Sequence, residues 1–207
     1  LNGEEQVLMP HFTFHGFRYA AVEGIENPRP EMFTACVMHS DMRKTGEFHC
    51  SNEKVNQLQS NISWSLRDNF FDIPSDCPQR DERLGWMGDA QVFSWTAAFN
   101  RETALFFTKW MRDVSAASSL ERGVPHIVPD IQETYSSAAW SDAAVIIPWV
   151  VYQTYGDTRI LEESWKCMHE WVDYIHNHVN ENGLWMTNYQ YGDWLALDNP
   201  SGKADEV

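Results

Sequence analysis

Two periodicities of apolar and polar positions divide the chain near residue 45. Residues 11–24 (HFTFHGFRYAAVEG) alternate apolar and polar side chains, with Gly16 and Gly24 interrupting the run. Residues 28–41 (PRPEMFTACVMHSD) follow a proline turn and have the same extended character. Such patterns predict β-strands. These strands are too few to close a sandwich by themselves.

From Ser51 onward the apolar positions follow the period of an α-helix. The segment 51–70, with Ser51 as its predicted N-cap, places four apolar side chains near one stripe: Val55, Leu58, Ile62 and Leu66. Further helices are predicted over 88–100, 101–119, 136–156 and 158–179, the last capped by Asp157. Helices that follow one another without intervening strands predict a succession of helical hairpins rather than a parallel sheet. The predicted fold class is therefore mainly α.

Composition and charge narrow the possible functions. The 207 residues are 43% hydrophobic, which is enough to build a core. The formal net charge of −15 argues against nucleic acid, because phosphate binding needs a basic surface. The absence of any run of about 18 apolar residues argues against a membrane span. Ten tryptophans suit either a large core or a surface that stacks partly apolar ligands such as sugar rings.

Neither the cysteines nor the histidines predict a metal site. Four cysteines lie far apart without a C-x-x-C spacing, which favours free, mostly packed thiols over zinc ligands: Cys36, Cys50, Cys77 and Cys167. His169, Asp173 and His176 share a helical face at a spacing that could hold a metal, but a solvated polar face is the favoured interpretation. The sequence thus predicts no cofactor and no metal.

The segment 78–91 (PQRDERLGWMGDAQ) concentrates charge around one tryptophan. Trp86 stands between Gly85 and Gly88, and five charged residues accompany it: Arg80, Asp81, Glu82, Arg83 and Asp89. A carboxyl group shielded by Trp86 is expected to have a raised pKa and to serve as a general acid. In the structural alternative, Asp89 is only an N-cap and Glu82 with Arg83 is a surface ion pair.

Residues 72–95 (DIPSDCPQRDERLGWMGDAQVFSW) resemble the signature of the bacterial α-L-rhamnosidases, glycoside hydrolase family 78. The flanking segments resemble the family too. Residues 12–24 resemble the end of its β-sandwich domain, and residues 46–83 resemble the start of its six-hairpin α/α-barrel. The stretches 138–149 (AAWSDAAVIIPW) and 191–198 (YGDWLALD) resemble later barrel segments. One departure is Met87, where the family usually has threonine.

The resemblance implies a fold and a domain organisation. Residues 1–45 would be the last strands of a preceding β-sandwich domain, and residues 46–207 the first part of a six-hairpin α/α toroid. The chain begins LNGEEQ, without an initiator methionine or signal peptide, so we expect a piece of a longer protein whose compartment and oligomeric state the sequence leaves open.

The resemblance also implies roles for seven residues. Glu82 would be the general acid of an inverting glycoside hydrolase that removes terminal α-L-rhamnose from rhamnosides or oligosaccharides. Asp76, Arg80 and Asp89 would hold the sugar hydroxyls. Three indoles would line the sugar site: Trp86, Trp140 and Trp194.

Inversion also requires a second carboxylate that activates water, and the family's base comes from later in the barrel. No position up to Val207 matches it, so we expect residues 1–207 alone to be inactive and prone to association.

The alternatives are another α/α-barrel glycosidase, which would lack the DCPQRDERLGW string, or a non-catalytic carbohydrate-binding module. Asp142, beside Trp140, either reaches the sugar site or is a polar residue at the start of a helix.

Overall fold

The mainly helical prediction is confirmed. The structure, a computed structural model, describes residues 3–192 and 194–195. Over those residues the chain forms five α-helices: α1 (Glu53–Asn69), α2 (Met87–Asn100), α3 (Ala104–Ala117), α4 (Ala143–Tyr155) and α5 (Arg159–His178). Two short strands, β1 (Phe70–Phe71) and β2 (Ile73–Pro74), form an antiparallel turn after α1. Asp193 and residues 196–207, which include the end of the predicted barrel segment, lie outside the described residues.

Helix α4 is the centre of the packing. It lies against α2, α3 and α5, and α3 also packs against α5. The apolar faces of these helices bury large side chains such as Phe107, Trp110, Ile147 and Trp171. No helix in the described part of the chain is long and apolar enough to cross a membrane. The packed helices form a rigid scaffold, and the loops that connect them can present polar side chains at the surface.

Most helix boundaries lie within three residues of the prediction, and the starts of α1 and α4 differ for visible structural reasons. Helix α1 begins at Glu53, because Asn52 rather than Ser51 is the N-cap and its Oδ1 accepts a hydrogen bond from Lys54 N at 3.0 Å. Part of its predicted apolar stripe is exposed to solvent: Leu58 is 56% exposed, whereas Leu66 is buried. Helix α4 begins at Ala143 instead of residue 136, because residues 136–142 form an irregular turn.

The segment before residue 45 contains no strand among its described residues. It is extended and mostly exposed, with one 3-10 turn at Pro30–Met32 and a single-residue bridge between Lys44 and Arg101. An alternating sequence needs a neighbouring strand to form a ladder, and none of the described residues supplies one. The assignment of this segment to a β-sandwich domain therefore stays a prediction.

All four cysteines are free thiols, as predicted. Cys77 and Cys167 are buried, Cys50 is half-buried, and Cys36 is exposed. The expected burial in apolar surroundings thus holds for Cys167, which belongs to the core, whereas Cys77 is buried beside Asp76, Arg80 and Glu82.

Candidate active site

The charged loop that precedes α2 is fastened to the segment 126–128. Gly85 O accepts a hydrogen bond from Val128 N at 2.9 Å, and Met87 N donates one to His126 O at 2.9 Å. Gly85 is required for this approach, because a Cβ there would lie 2.0 Å from Val128 O. The pairing fixes the position from which Trp86 and the preceding carboxylates project.

Arg80 joins two carboxylates of this loop. Its guanidinium donates to Glu82 Oε2 at 2.7 Å and to Asp76 Oδ2 at 3.2 Å. Asp76 also accepts from Leu84 N at 3.0 Å and its side chain is only 7% exposed. Glu82 is 30% exposed and receives a second hydrogen bond, at 2.8 Å, from Trp86 Nε1. Asp76 therefore holds the loop together by hydrogen bonds, whereas Glu82 is the more accessible of the two carboxylates.

The expectation of a raised pKa beside Trp86 is wrong for Glu82. The hydrogen bond from the Trp86 indole lowers the pKa of Glu82 below its usual value, and Arg80 acts in the same direction, against the effect of burial. Among the carboxyl groups of the cleft, Asp89 is the one whose pKa is raised, chiefly because the surrounding protein reduces its solvation although the residue is exposed, and also because Asp76 and Glu82 add negative charge nearby. The indole meets Glu82 with its polar N–H edge, and a donor at that edge stabilises the carboxylate.

All seven residues singled out from the sequence line one cleft of about 330 Å³: Asp76, Arg80, Glu82, Trp86, Asp89, Trp140 and Trp194. A second cavity of about 480 Å³ adjoins it and shares four of them, namely Asp76, Asp89, Trp140 and Trp194. The cleft therefore combines three carboxyl groups and one guanidinium with three indoles. Such a surface suits a neutral ligand that has both hydroxyl groups and an apolar face.

Tyr191 is an eighth lining residue, and it was not predicted from the sequence. Its ring lies 4.4 Å from that of Trp140, 5.8 Å from Trp86 and 5.7 Å from Trp194, measured between centroids. Its hydroxyl group is 3.0 Å from His126 Nε2, and His126 stacks on Trp86 at 5.6 Å. Tyr191 directly precedes Gly192 in the YGDW string, so that string contained the available signal.

Trp140 reaches the cleft from the turn before α4. Its indole edge rests on the first turn of α2, where a Cβ on Gly88 would lie 2.8 Å from Trp140 Nε1. Glycine at position 88 is therefore needed for this contact. Asp142 does not line either cavity.

Comparison with known proteins identifies the family. Residues 43–207 match the family model described as the bacterial α-L-rhamnosidase six-hairpin glycosidase domain. Residues 1–39 match the bacterial α-L-rhamnosidase concanavalin-like domain. The chain belongs to the bacterial α-L-rhamnosidase family.

Individual α-L-rhamnosidases agree with this assignment. A protein of that name from Formosa agariphila is 43% identical over 203 residues, which cover 95% of this chain and 22% of the relative. One from Streptomyces avermitilis is 40% identical over 201 residues, covering 96% of this chain and 19% of the relative. The chain thus spans about a fifth of the length of these curated relatives.

A solved structure supports the same fold. The crystal structure of the Streptomyces avermitilis α-L-rhamnosidase complexed with L-rhamnose superposes with a TM-score of 0.72 at 39% identity. The superposition covers 76% of this chain and 15% of the Streptomyces avermitilis chain. The predicted partial α/α toroid is confirmed by this family and its structures.

Among the described residues of this rhamnosidase-family chain, one group has the spacing of a metal site. Ligand atoms of Asp76, Cys77 and Glu82 lie within 4.8 Å of one another. Arg80 already neutralises the two carboxylates, and burial raises the pKa of the Cys77 thiol and so opposes the thiolate that a metal needs. This arrangement is better suited to an ion-pair cluster than to metal binding.

The polar face of α5 is exposed to solvent, as predicted. His169 Nδ1 and Asp173 Oδ2 are 3.0 Å apart on the protein surface, and both side chains are more than half exposed. His176 is exposed as well.

The protein should lose stability in mild acid because of His126. Burial lowers the pKa of His126 from 6.5 to about 4, so the unfolded chain binds a proton more readily between these values. Stability is present above pH 6.5 and is lost as the pH falls towards 4. We expect about 2 kcal/mol of this effect between pH 7 and pH 4.5.

Denaturant unfolding of the full-length protein at both pH values, with His126→Gln alongside, measures this contribution. The variant should show the smaller pH-dependent loss, whatever its stability at pH 7. The same loss in both proteins would contradict the assignment.

Proposed function

We propose that the protein containing this chain hydrolyses terminal α-L-rhamnosyl bonds. The observation that carries the proposal is the convergence of Glu82, the other six sequence-selected residues and Tyr191 on one cleft. Two comparisons support the proposal. The chain belongs to the α-L-rhamnosidase family, and it is similar to a structure that holds L-rhamnose.

The cleft offers complementary groups to a rhamnose ring. Rhamnose is a neutral 6-deoxy sugar, so its methyl group and apolar ring face would lie against Trp86, Trp140 and Trp194. Its hydroxyl groups would bond to Asp76, Arg80 and Asp89, because charged partners give strong and directional hydrogen bonds.

We assign the proton donor to Glu82. It is the more accessible of the two carboxylates that Arg80 holds, with 30% of its side chain exposed against 7% for Asp76. In this role Glu82 gives its proton to the glycosidic oxygen as the bond from that oxygen to the anomeric carbon breaks. It must therefore be protonated when substrate is bound.

Arg80 provides a means of raising the Glu82 pKa on binding. Its side chain is 60% exposed and lines the cleft, so it is able to turn from Glu82 to a sugar hydroxyl. Losing Arg80 removes one cause of the low pKa, and a bound sugar adds burial, which favours the protonated form. Substrate binding would thus prepare the acid.

An inverting mechanism completes the proposal. A base takes a proton from water while the water oxygen attacks the anomeric carbon on the face opposite the leaving group, with the two carboxyl groups about 6.5–9.5 Å apart. We place this base in a part of the barrel outside residues 1–207. In the same proposal residues 1–45 belong to a β-sandwich domain and residues 46–207 to the barrel.

The test is hydrolysis by the full-length protein. Purified enzyme is incubated with an aryl α-L-rhamnoside and, in parallel, with an aryl β-D-glucoside of the same leaving group. We expect turnover of the rhamnoside only, and proton NMR at early times should show β-L-rhamnose as the first product. Initial α-L-rhamnose would contradict inversion, and rhamnose binding without turnover would indicate a carbohydrate-binding module.

A further inference from the structure

Asp142 stands at the start of α4, yet its side chain does not cap that helix. One carboxylate oxygen, Oδ2, accepts a hydrogen bond from the backbone N–H of Ala139 at 2.9 Å. The other, Oδ1, accepts from the indole N–H of Trp171 at 2.9 Å. Both oxygens therefore point away from α4 and connect two other parts of the molecule.

The two partners of Asp142 differ in rigidity. Trp171 lies in the middle of α5 and is 1% exposed, so its position is fixed by the core. Ala139 lies in the turn before α4 and has a φ of 65°, a left-handed conformation that is unfavourable for a residue with a Cβ. The carboxylate thus ties a strained turn to a rigid indole.

The strained residue directly precedes Trp140, the indole that forms one side of the cleft. Trp140 can rest on Gly88 only if the turn keeps its path. The same turn is held from the other side by Gln190, whose Oε1 accepts from Ala138 N at 2.8 Å.

We propose that Asp142 is a positioning residue for Trp140. It would hold the left-handed turn at Ala139 against Trp171 and thereby keep the Trp140 indole in place for the sugar. A direct contact between Asp142 and substrate is disfavoured, because Asp142 lines neither cavity. The effect on substrate rests on the proposed function, since it is exerted through a wall of the proposed rhamnose site.

A double-mutant cycle in the full-length protein tests the coupling. The variants are Asp142→Asn, Trp140→Ala and the pair together, assayed with an aryl α-L-rhamnoside. Asparagine can accept only one of the two hydrogen bonds, so we expect KM to rise about tenfold while kcat changes less than about twofold. In the Trp140→Ala background the second substitution should change KM less than about twofold.

Asp157→Asn is the matched control. Asp157 also stands just before a helix and accepts a hydrogen bond from Arg159 N, but it is not among the residues that line the cleft. Its substitution should leave KM unchanged. If Asp142→Asn does not fold, Trp171→Phe removes the indole donor while keeping an aromatic ring in the core, and it should raise KM by about threefold.

Hydrogen exchange of the segment 137–142 gives a readout that does not depend on activity. The Ala139 amide should exchange faster in Asp142→Asn than in wild type, even if the wild-type protein fails to hydrolyse rhamnosides, which would reject the proposed function alone. Unchanged exchange, an unchanged KM, or a full second KM increase in the Trp140→Ala background would each overturn the positioning role.

Discussion

Glu82→Gln in the full-length protein should slow the hydrolysis of rhamnosides with alkyl leaving groups by about a thousandfold. Glutamine keeps the size of the side chain and its contact with Trp86, but it has no proton to give. Aryl rhamnosides with acidic leaving groups should lose much less, because those groups depart with little protonation. The measurement is kcat/KM for a series of rhamnosides plotted against leaving-group pKa, which should be steeper for the variant.

Asp89→Asn is the comparison that makes this result specific. Asp89 lines the same cleft and is the carboxyl whose pKa is raised, so on pKa grounds alone it competes for the role of acid. If Asp89 binds a sugar hydroxyl, Asp89→Asn should lower kcat/KM by a similar factor for all substrates. A leaving-group dependence that followed Asp89→Asn, with uniform losses for Glu82→Gln, would move the acid to Asp89.

Gly85→Ala should be the most damaging single substitution in the loop. A Cβ at this position would lie 2.0 Å from Val128 O, which is a backbone atom and cannot turn aside. The loop must then separate from the segment 126–128, losing the hydrogen bond between Val128 N and Gly85 O. We expect about 3 kcal/mol of destabilisation, together with loss of most activity.

Gly156→Ala serves as its control. Gly156 has a φ of 68° at the end of α4, but nothing lies within 4 Å of the position that an alanine methyl group would take there. Alanine should therefore cost only the left-handed conformation, about 1 kcal/mol, and should leave KM unchanged. Denaturant unfolding of the two variants measures both values, and equal destabilisation would show that the loop can move away from Val128 freely.

The helices were predictable because their apolar periods are decided locally. The start of α4 was not, because residues 136–142 have a helix-compatible sequence whose path depends on Ala139 and its bond to Asp142. The strands expected before residue 45 need a neighbouring strand, and an alternating sequence does not contain one.

Most of the residues that line the cleft could be predicted from the sequence, whereas their pKa values could not. The long signature and its flanking segments were sufficient to select seven residues that the structure gathers. The pKa of Glu82 depends on which edge of Trp86 it meets, and sequence spacing does not determine that geometry. Tyr191 and His126 were missed because they are 65 positions apart and become partners only in the folded chain.

The contact between the extended N-terminal segment and the loop has a consequence for domain exchange. Arg83 Nη1 donates to Phe14 O at 3.2 Å, its guanidinium lies over the Phe14 ring, and Gly16 N donates to Pro78 O at 3.1 Å. The charged loop is thus supported from residues that precede the helical domain. A chimera that joined residues from 46 onward to an unrelated module would leave these contacts behind, so a transferable unit that keeps them has to begin before Phe14.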